Sequence, residues 1–334
     1  MTAVFFGELM LRLSPPGREL LLQTPKFEVN VAGAEANVAT GLACLGHKVR
    51  MVSAVSDNPL GAAAIGELRR RGVDTSTVAS EPGRLGLYFL TPGAGLRASE
   101  VVYDRAHSVF AERAAHAWDW DAALEGATRL HLSGITPALG PNSAAAAIAA
   151  AEAATARGVP VSFDGNYRAR LWEAWDSDPK SVLTTLIGHA DILFGNHRDI
   201  SLLLGSAFSG DGSDRRREAA EAAFAAFPKL RMIASTARHV VDADSHRVAA
   251  RIDTRAGAHQ TEEALIAGIV DRIGAGDAFA AGVLHGLIET GDAAAAAQAG
   301  LALTALKHSL PGDASLFTRA DLAAFEEGGL DVRR

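Results

Sequence analysis

A doubly wound, mostly parallel α/β sheet flanked by helices, with a small β lid standing off it, is the fold class this sequence predicts. Three observations carry that expectation. Short apolar segments alternate with helical ones from residue 129 onward, and a hairpin pattern at 85–105 interrupts the alternation. A glycine-rich turn, Gly274-Ala275-Gly276-Asp277, follows an apolar segment (Ala264 to Val270) and opens an amphipathic run. Short buried strands joined by helices imply a parallel sheet, whose ligands bind at the carboxyl ends of its strands. The chain is read as one α/β domain over 1–334, with the lid built from segments around 8–31 and 85–105.

Composition narrows the function classes. With 48% hydrophobic and 21% charged residues the chain can build a substantial core. A net charge of −7 argues against non-specific nucleic-acid binding, so an anionic substrate must be met by a local cluster of positive groups. The single cysteine, Cys44, excludes an internal disulfide and a multi-cysteine zinc site, and is expected in the core. No run of 18 apolar residues is present, so no membrane span is expected. The sequence opens directly on a strand-like Ala3-Val4-Phe5-Phe6 without a basic leader, and the expected location is cytoplasmic.

Val4 to Phe6 is the first expected strand, closed by Gly7-Glu8; Ser14-Pro15-Pro16-Gly17 is a loop and Phe27 to Val31 a second strand. Val31-Ala32-Gly33-Ala34-Glu35-Ala36-Asn37 leads into a helix with Val38, Leu42 and Leu45 on one face and Gly46 as its C′ stop. Gly33 belongs to a turn that allows close backbone approach. Asn37 can either hydrogen-bond a hydroxylated ligand or cap the helix, and both readings stand at this point. Met51 to Val55 reads as a buried strand and Leu60 to Arg71 as a helix whose Arg69-Arg70-Arg71 is solvated.

The hairpin joins Leu85–Leu90 to Val101–Arg105 and carries Tyr88, Tyr103 and Arg105. Two of only three tyrosines therefore sit on one hairpin, and Tyr103 and Arg105, two apart, share a face if both are in the strand. Such a pair suits a carboxylate or a polyol.

From Leu130–Ser133 the alternation is regular: the Ser143–Ala156 helix, strands at Val161–Asp164 and Ile192–Phe194, a helix from near Arg215, and a strand at Met232–Ala234. Arg215-Arg216-Arg217 reads as a solvated helix start. The strand ends are polar: Ser133-Gly134, Asp164-Gly165-Asn166-Tyr167-Arg168, Gly195-Asn196 and Ser235-Thr236. Arg168 can meet an anion, and Asn196 with Asp199 could hold magnesium-bound water.

At Gly274–Asp277 two glycines let the backbone turn sharply, and the following helix points unpaired N–H groups and a positive dipole end at whatever lies above. That is an anion site. Asp277 then reads either as an N-cap or as a base facing a substrate hydroxyl. Helices at Ala278–Glu289 and Ala293–Lys307 follow, and His308-Ser309-Leu310-Pro311-Gly312-Asp313 turns back. No P-loop, H-E-x-x-H or G-x-S-x-G motif is present, and the loop lacks the third glycine of a dinucleotide fingerprint. The eleven histidines show no ligand spacing, and none is assigned to a metal.

Asp271-Arg272-Ile273-Gly274-Ala275-Gly276-Asp277-Ala278-Phe279 resembles the C-terminal signature of the ribokinase-like (PfkB) carbohydrate kinases, and Val31 to Gly46 resembles their N-terminal one. The resemblance covers nearly the whole chain. Within the family it is nearest to the 2-keto-3-deoxygluconate kinases, through Tyr103-Asp104-Arg105, Phe163 to Arg168 with Leu171-Trp172, and Lys307 to Asp313.

The resemblance implies a ribokinase-like fold, ATP and Mg²⁺ as cofactors, and a sugar-acid substrate bound by Gly33, Asn37, Tyr88, Tyr103, Arg105, Ile135, Arg168 and Asp313. It implies Asp277 as the base, with Gly274, Ala275 and Gly276 forming the anion hole. Asn196, Ser235, Thr236, Arg238, Gly274, Gly276 and His308 would contact the nucleotide, and Asp199 would reach the metal through water. A homo-oligomer is expected, with neither nucleic acid nor membrane as partner.

The chain departs from the family pattern at four places: Ala32, Asp199, the Ser235-Thr236-Ala237-Arg238 stretch, and Arg272-Ile273. The last leads to no expected monovalent-cation site. A fructokinase or other sugar kinase, or a non-catalytic sugar-binding protein on this scaffold, is the alternative expectation; a dehydrogenase is more distant.

Overall fold

Alternation of side chains sets the first strand. In the computed structural model, which describes residues 2–328, β1 (Thr2–Phe6) sends Ala3 and Phe5 into one hydrophobic cluster and Val4 and Phe6 into another. A strand covered on both faces must do this. Phe5 and Phe6 are both fully buried, each contributing about 1.5–3 kcal/mol relative to an exposed ring. Residue 1 and residues 329–334, the ends of the expected domain, lie outside the described residues.

The chain continues through β2 (Met10–Ser14), β3 (Glu28–Ala32), α1 (Ala34–Cys44), β4 (Lys48–Ser56), α2 (Pro59–Arg70) and β5 (Val78–Glu81). Then come β6 (Gly86–Thr91), β7 (Glu100–Asp104), the short α3 (Val109–Glu112) and α4 (Trp120–Ala123), and β8 (Ala127–Ser133). The middle of the chain gives α5 (Pro141–Ala156), β9 (Val161–Asp164), α6 (Ala169–Trp172), α7 (Pro179–His189), β10 (Ala190–Phe194), α8 (His197–Leu204) and α9 (Ser213–Ala226). The last part holds β11 (Met232–Asp242), β12 (Ser245–Thr254), β13 (Ala258–Gln260), β14 (Ala264–Ala267), α10 (Ala275–Thr290), α11 (Ala293–Lys307) and α12 (Arg319–Glu326).

Ten strands form the main sheet in the order β13-β12-β11-β10-β9-β8-β1-β4-β5, with β14 also paired to β12. Strands β11 to β5 run parallel, and β12 to β14 add an antiparallel edge. Helices α1, α2, α10 and α11 cover one face and α5, α7, α8 and α9 the other. The alanines of α5 at 146, 147, 150, 151 and 154 are buried, because small side chains let a helix lie close to a sheet.

A separate four-stranded sheet, β3-β2-β6-β7, lies where the lid is expected. Its register sorts its faces. Asn30, Arg12, Tyr88 and Tyr103 are cross-strand neighbours in one row, and Val29, Leu13, Phe89 and Val102 form the next. Successive rows point to opposite faces, so the polar and aromatic row lies on one side and the apolar row on the other.

Several expectations change. Strands β2, β5, β12 and β13 and helices α3, α4, α6, α7, α8 and α12 have no counterpart in the sequence reading, and β11 runs eight residues past Ala234, because its ladder is completed by the distant β12. Arg105 lies just beyond β7, so the two-residue strand argument for Tyr103 and Arg105 does not hold. Cys44 is only partly buried. Arg217 is not simply solvated: its Nη1 donates to the carbonyls of Thr254 (2.7 Å) and Gly257 (3.0 Å).

Candidate active site

The N-terminus of α10 is shaped by one glycine. Gly274 is the N-cap at φ 77°, and a Cβ there would fall 1.6 Å from the carbonyl oxygen of Asp313. Only glycine fits both the left-handed conformation and the contact. Because Gly274 is the cap, Asp277 is not: it lies within the first turn, and its carboxylate accepts from Asn37 Nδ2 at 2.7 Å. Asn37 in turn lies inside α1, whose N-cap is Gly33 at φ 154°. The capping readings of both residues are thereby excluded.

Two groups of residues meet at that hydrogen bond. The first belongs to the small sheet. Tyr88 Oη donates to Asp313 Oδ2 in a short contact, and the rings of Tyr88 and Tyr103 lie 5.9 Å apart. The Arg105 guanidinium lies 5.7 Å over Tyr103 and is ion-paired to Glu8. The carbonyl of Glu8 abuts Gly33, where a Cβ would come within 2.4 Å of its oxygen. Arg105 Nη1 and Glu8 Oε1 are buried without hydrogen-bond partners among the described residues.

The second group lines a cleft of 740 Å³ past the carboxyl end of β10 and along the first half of β11, where Arg168, Asn196, Ser235, Thr236, Arg238, Gly276 and His308 come together. A contiguous cavity of 610 Å³ shares Arg168, Asn196, Ser235, Thr236, Arg238 and Gly276 with it and adds Asp164 and Asp199. Nothing lies within 4 Å of where a Gly276 Cβ would stand, so the start of α10 is open at Gly276, which lines both cavities. Burial, then Arg272, holds the Arg238 pKa below its usual value. His308 Nδ1 donates to Thr304 O at 2.7 Å, which leaves Nε2 as a buried acceptor without a partner among the described residues.

Asp199 is engaged at one oxygen. Its Oδ2 accepts from Asn196 N at 2.8 Å in a capping box, while Asn196 Oδ1 accepts from Arg198 N at 2.9 Å. Ile135 is partly buried in the turn after β8, beside Thr136.

The charge pattern is acidic at the floor. Burial raises the Asp277 pKa to about 8, against the Asn37 hydrogen bond and with help from Asp164, Asp313 and Glu35. Burial and then Asp199 raise Asp164 to about 7, and burial raises Asp199 and Glu35. A carboxylate poised near neutrality beside an anion loop can take a proton from an alcohol.

Sequence reasoning missed the supports. Arg12 is buried, with Nη2 2.5 Å from Asp271 and Nη1 2.9 Å from Asp313. Burial disfavours its charge, but the two carboxylates outweigh that and raise its pKa. An arginine inside the apolar strand Met10-Leu11-Arg12-Leu13 was the available signal, since such a cation requires partners. Glu35 was missed too; Ser133 and Thr136 hydroxyls donate to its Oε1 at 2.6 and 2.7 Å. Lys307, fully buried, reaches the carbonyls of Asp271 (3.4 Å) and Leu310 (3.2 Å), tying the glycine loop to the turn after α11.

The pfkB family carbohydrate kinase model matches residues 2–318. The chain is 32% identical to a 2-dehydro-3-deoxygalactonokinase of Haloferax volcanii, over 98% of each chain. It is 29% identical to a Bacillus subtilis 2-dehydro-3-deoxygluconokinase, over 97% of this chain and 95% of that one. The crystal structure of a 2-dehydro-3-deoxygluconokinase from Thermotoga maritima aligns with a TM-score of 0.93 at 38% identity, covering 98% of this chain and 100% of the other. No helix among the described residues is long and apolar enough to cross a membrane.

Proposed function

The chain belongs to the pfkB family of carbohydrate kinases, and from that premise we propose that it transfers the γ-phosphoryl group of ATP to a primary hydroxyl of 2-keto-3-deoxygluconate. One observation carries the reading: Asp277 lies in the first turn of α10, next to Gly276 of the nucleotide-sized cleft, and its carboxylate is held by Asn37 of α1.

Each group then has a task. The Asp277 carboxylate takes the hydroxyl proton as the hydroxyl oxygen attacks the γ-phosphorus, and the bond to the β–γ bridging oxygen breaks to release ADP. Backbone N–H groups of the Gly274–Asp277 turn stabilise charge on the transferring group. Arg238 lines the cleft as a cation for phosphates, Arg168 is the second cation for the substrate carboxylate, and the His308 Nε2 lone pair is a ready acceptor for a base amino group. The neighbouring Asp164 and Asp199 fit a magnesium ion, since each carboxylate is pushed toward protonation and a cation relieves that. Magnesium, when bound, neutralises phosphate charge; Asp199 would hold it through water.

Arg105, Tyr103 and Tyr88 with Gly33 and Asn37 form the substrate side, under a lid made of the four-stranded sheet on a single 1–334 domain. Arginine suits a carboxylate, which supports a sugar acid over a neutral hexose. The apolar row Val29, Leu13, Phe89 and Val102, with Val29 and Val102 exposed, supports self-association through the lid's outer face. Replacing Asp277 by Asn should lower turnover by roughly 10²–10⁴-fold with ATP affinity kept. A variant within a few-fold of wild type in a coupled kinase assay would sink the assignment.

A further inference from the structure

At the far end of the helix pair that carries Asn37 and Asp277, two histidines and a glutamate converge. His47 follows the C-terminal turn of α1, and His285 and Glu289 lie four residues apart on α10, on one face of that helix. His47 Nε2 is 2.7 Å from His285 Nδ1 and 4.0 Å from Glu289 Oε1, and the three ligand atoms all lie within 4.8 Å of one another.

Two neutral imidazoles facing each other share a single proton, whereas a metal ion accepts both lone pairs. Burial, then nearby charge, keeps both rings neutral at pH 7, with His285 lowered to about 4. Zinc bonds of 2.0–2.1 Å to nitrogen place tetrahedral ligand atoms about 3.3 Å apart. The observed 2.7 and 4.0 Å bracket that spacing, so small side-chain rotations bring the three into position.

We propose that His47, His285 and Glu289 form a binding site for a borderline divalent ion, Zn²⁺ being the best match to two nitrogens and one carboxylate, with the fourth position open to water. The site has a competitor built in. Arg319 forks onto Glu289 through Nη1–Oε2 (2.9 Å) and Nη2–Oε1 (2.8 Å) while its Nε donates to Leu45 O at 2.7 Å. A metal on Oε1 displaces Nη2 and keeps the other arm. The ion would tie the end of α1 to α10, eight residues or about 12 Å along α10 from Asp277.

The test uses the full chain stripped with chelator and titrated with Co²⁺, read by visible absorption, and with Zn²⁺, read by calorimetry and thermal shift. One Co²⁺ per chain with the strong visible bands of four-coordinate cobalt is expected, together with Zn²⁺-dependent thermal stabilisation. Both should be lost in His47→Gln and His285→Gln. Glu289→Gln, at an exposed position, should weaken binding at least tenfold, and Arg319→Gln should strengthen it by a similar factor. Circular dichroism of the metal-free variants checks that each is folded. Failure to saturate at micromolar metal, or unchanged binding in the double histidine variant, would overturn the site and leave a plain histidine–histidine hydrogen bond.

Discussion

Asn37 Nδ2 donates to Asp277 Oδ2 across 2.7 Å, joining two helices whose residues are 240 positions apart in sequence. The bond opposes the burial that raises the Asp277 pKa to about 8, so Asn37 sets how much of the base is ionised at a given pH. A base must be deprotonated to act, so kcat should climb through the region of pH 8. Asn37→Ala removes a stabiliser of the ionised form and should move that limb to higher pH. A pH–rate profile reads the shift directly; an unmoved limb would mean that Asn37 holds substrate alone.

Arg12 lies between Asp271 and Asp313, all three buried. Arg12→Met leaves two carboxylates without their counter-ion, which costs about 3–5 kcal/mol. Urea denaturation should show a lower midpoint with an unchanged slope. Because Asp271 also holds Ile273 N at 2.9 Å and Gly312 N at 3.0 Å, turnover should fall with stability.

Arg105 keeps one buried Nη1 without a protein partner among the described residues. If it receives a substrate carboxylate, Arg105→Ala removes a charge-assisted hydrogen bond of about 1.5–3 kcal/mol, or a roughly 10–150-fold rise in KM for the keto-deoxy acid. Neutral hexoses should be unaffected. Arg168→Ala, at a more exposed side chain, should show the same selectivity with a smaller effect. Equal losses for acids and hexoses would favour a neutral-sugar kinase instead.

The apolar row of the small sheet ends in exposed Val29 and Val102. Val102→Glu places a charge in the face offered for self-association. Sedimentation velocity should show a larger species for the wild type and a monomer for the variant. A monomeric wild type would remove the proposal.

Much of this was legible locally. Gly274-Ala275-Gly276-Asp277 announces an anion-binding helix start, because glycine torsions and helix-terminal amides are properties of a few consecutive residues. The strand periodicity and polar strand ends likewise placed a cleft at the carboxyl edge of a parallel sheet. Helix α7 carries a local start signal too, Asp178-Pro179, the Asp side chain accepting from Ser181 N at 3.1 Å.

The sequence by itself determined the α/β class, the glycine loop, and a set of polar residues able to bind an anion and a polyol. Only the tertiary structure decided their pairings. It took Asp277 and Asn37 from possible caps to a bonded pair, gave Arg105 to Glu8, gave Asp313 to Tyr88 and Arg12, and brought His47 to His285. The reason is physical: caps and turns depend on neighbours in the chain, whereas a buried charge or lone pair is satisfied by whichever group packing brings within hydrogen-bond reach.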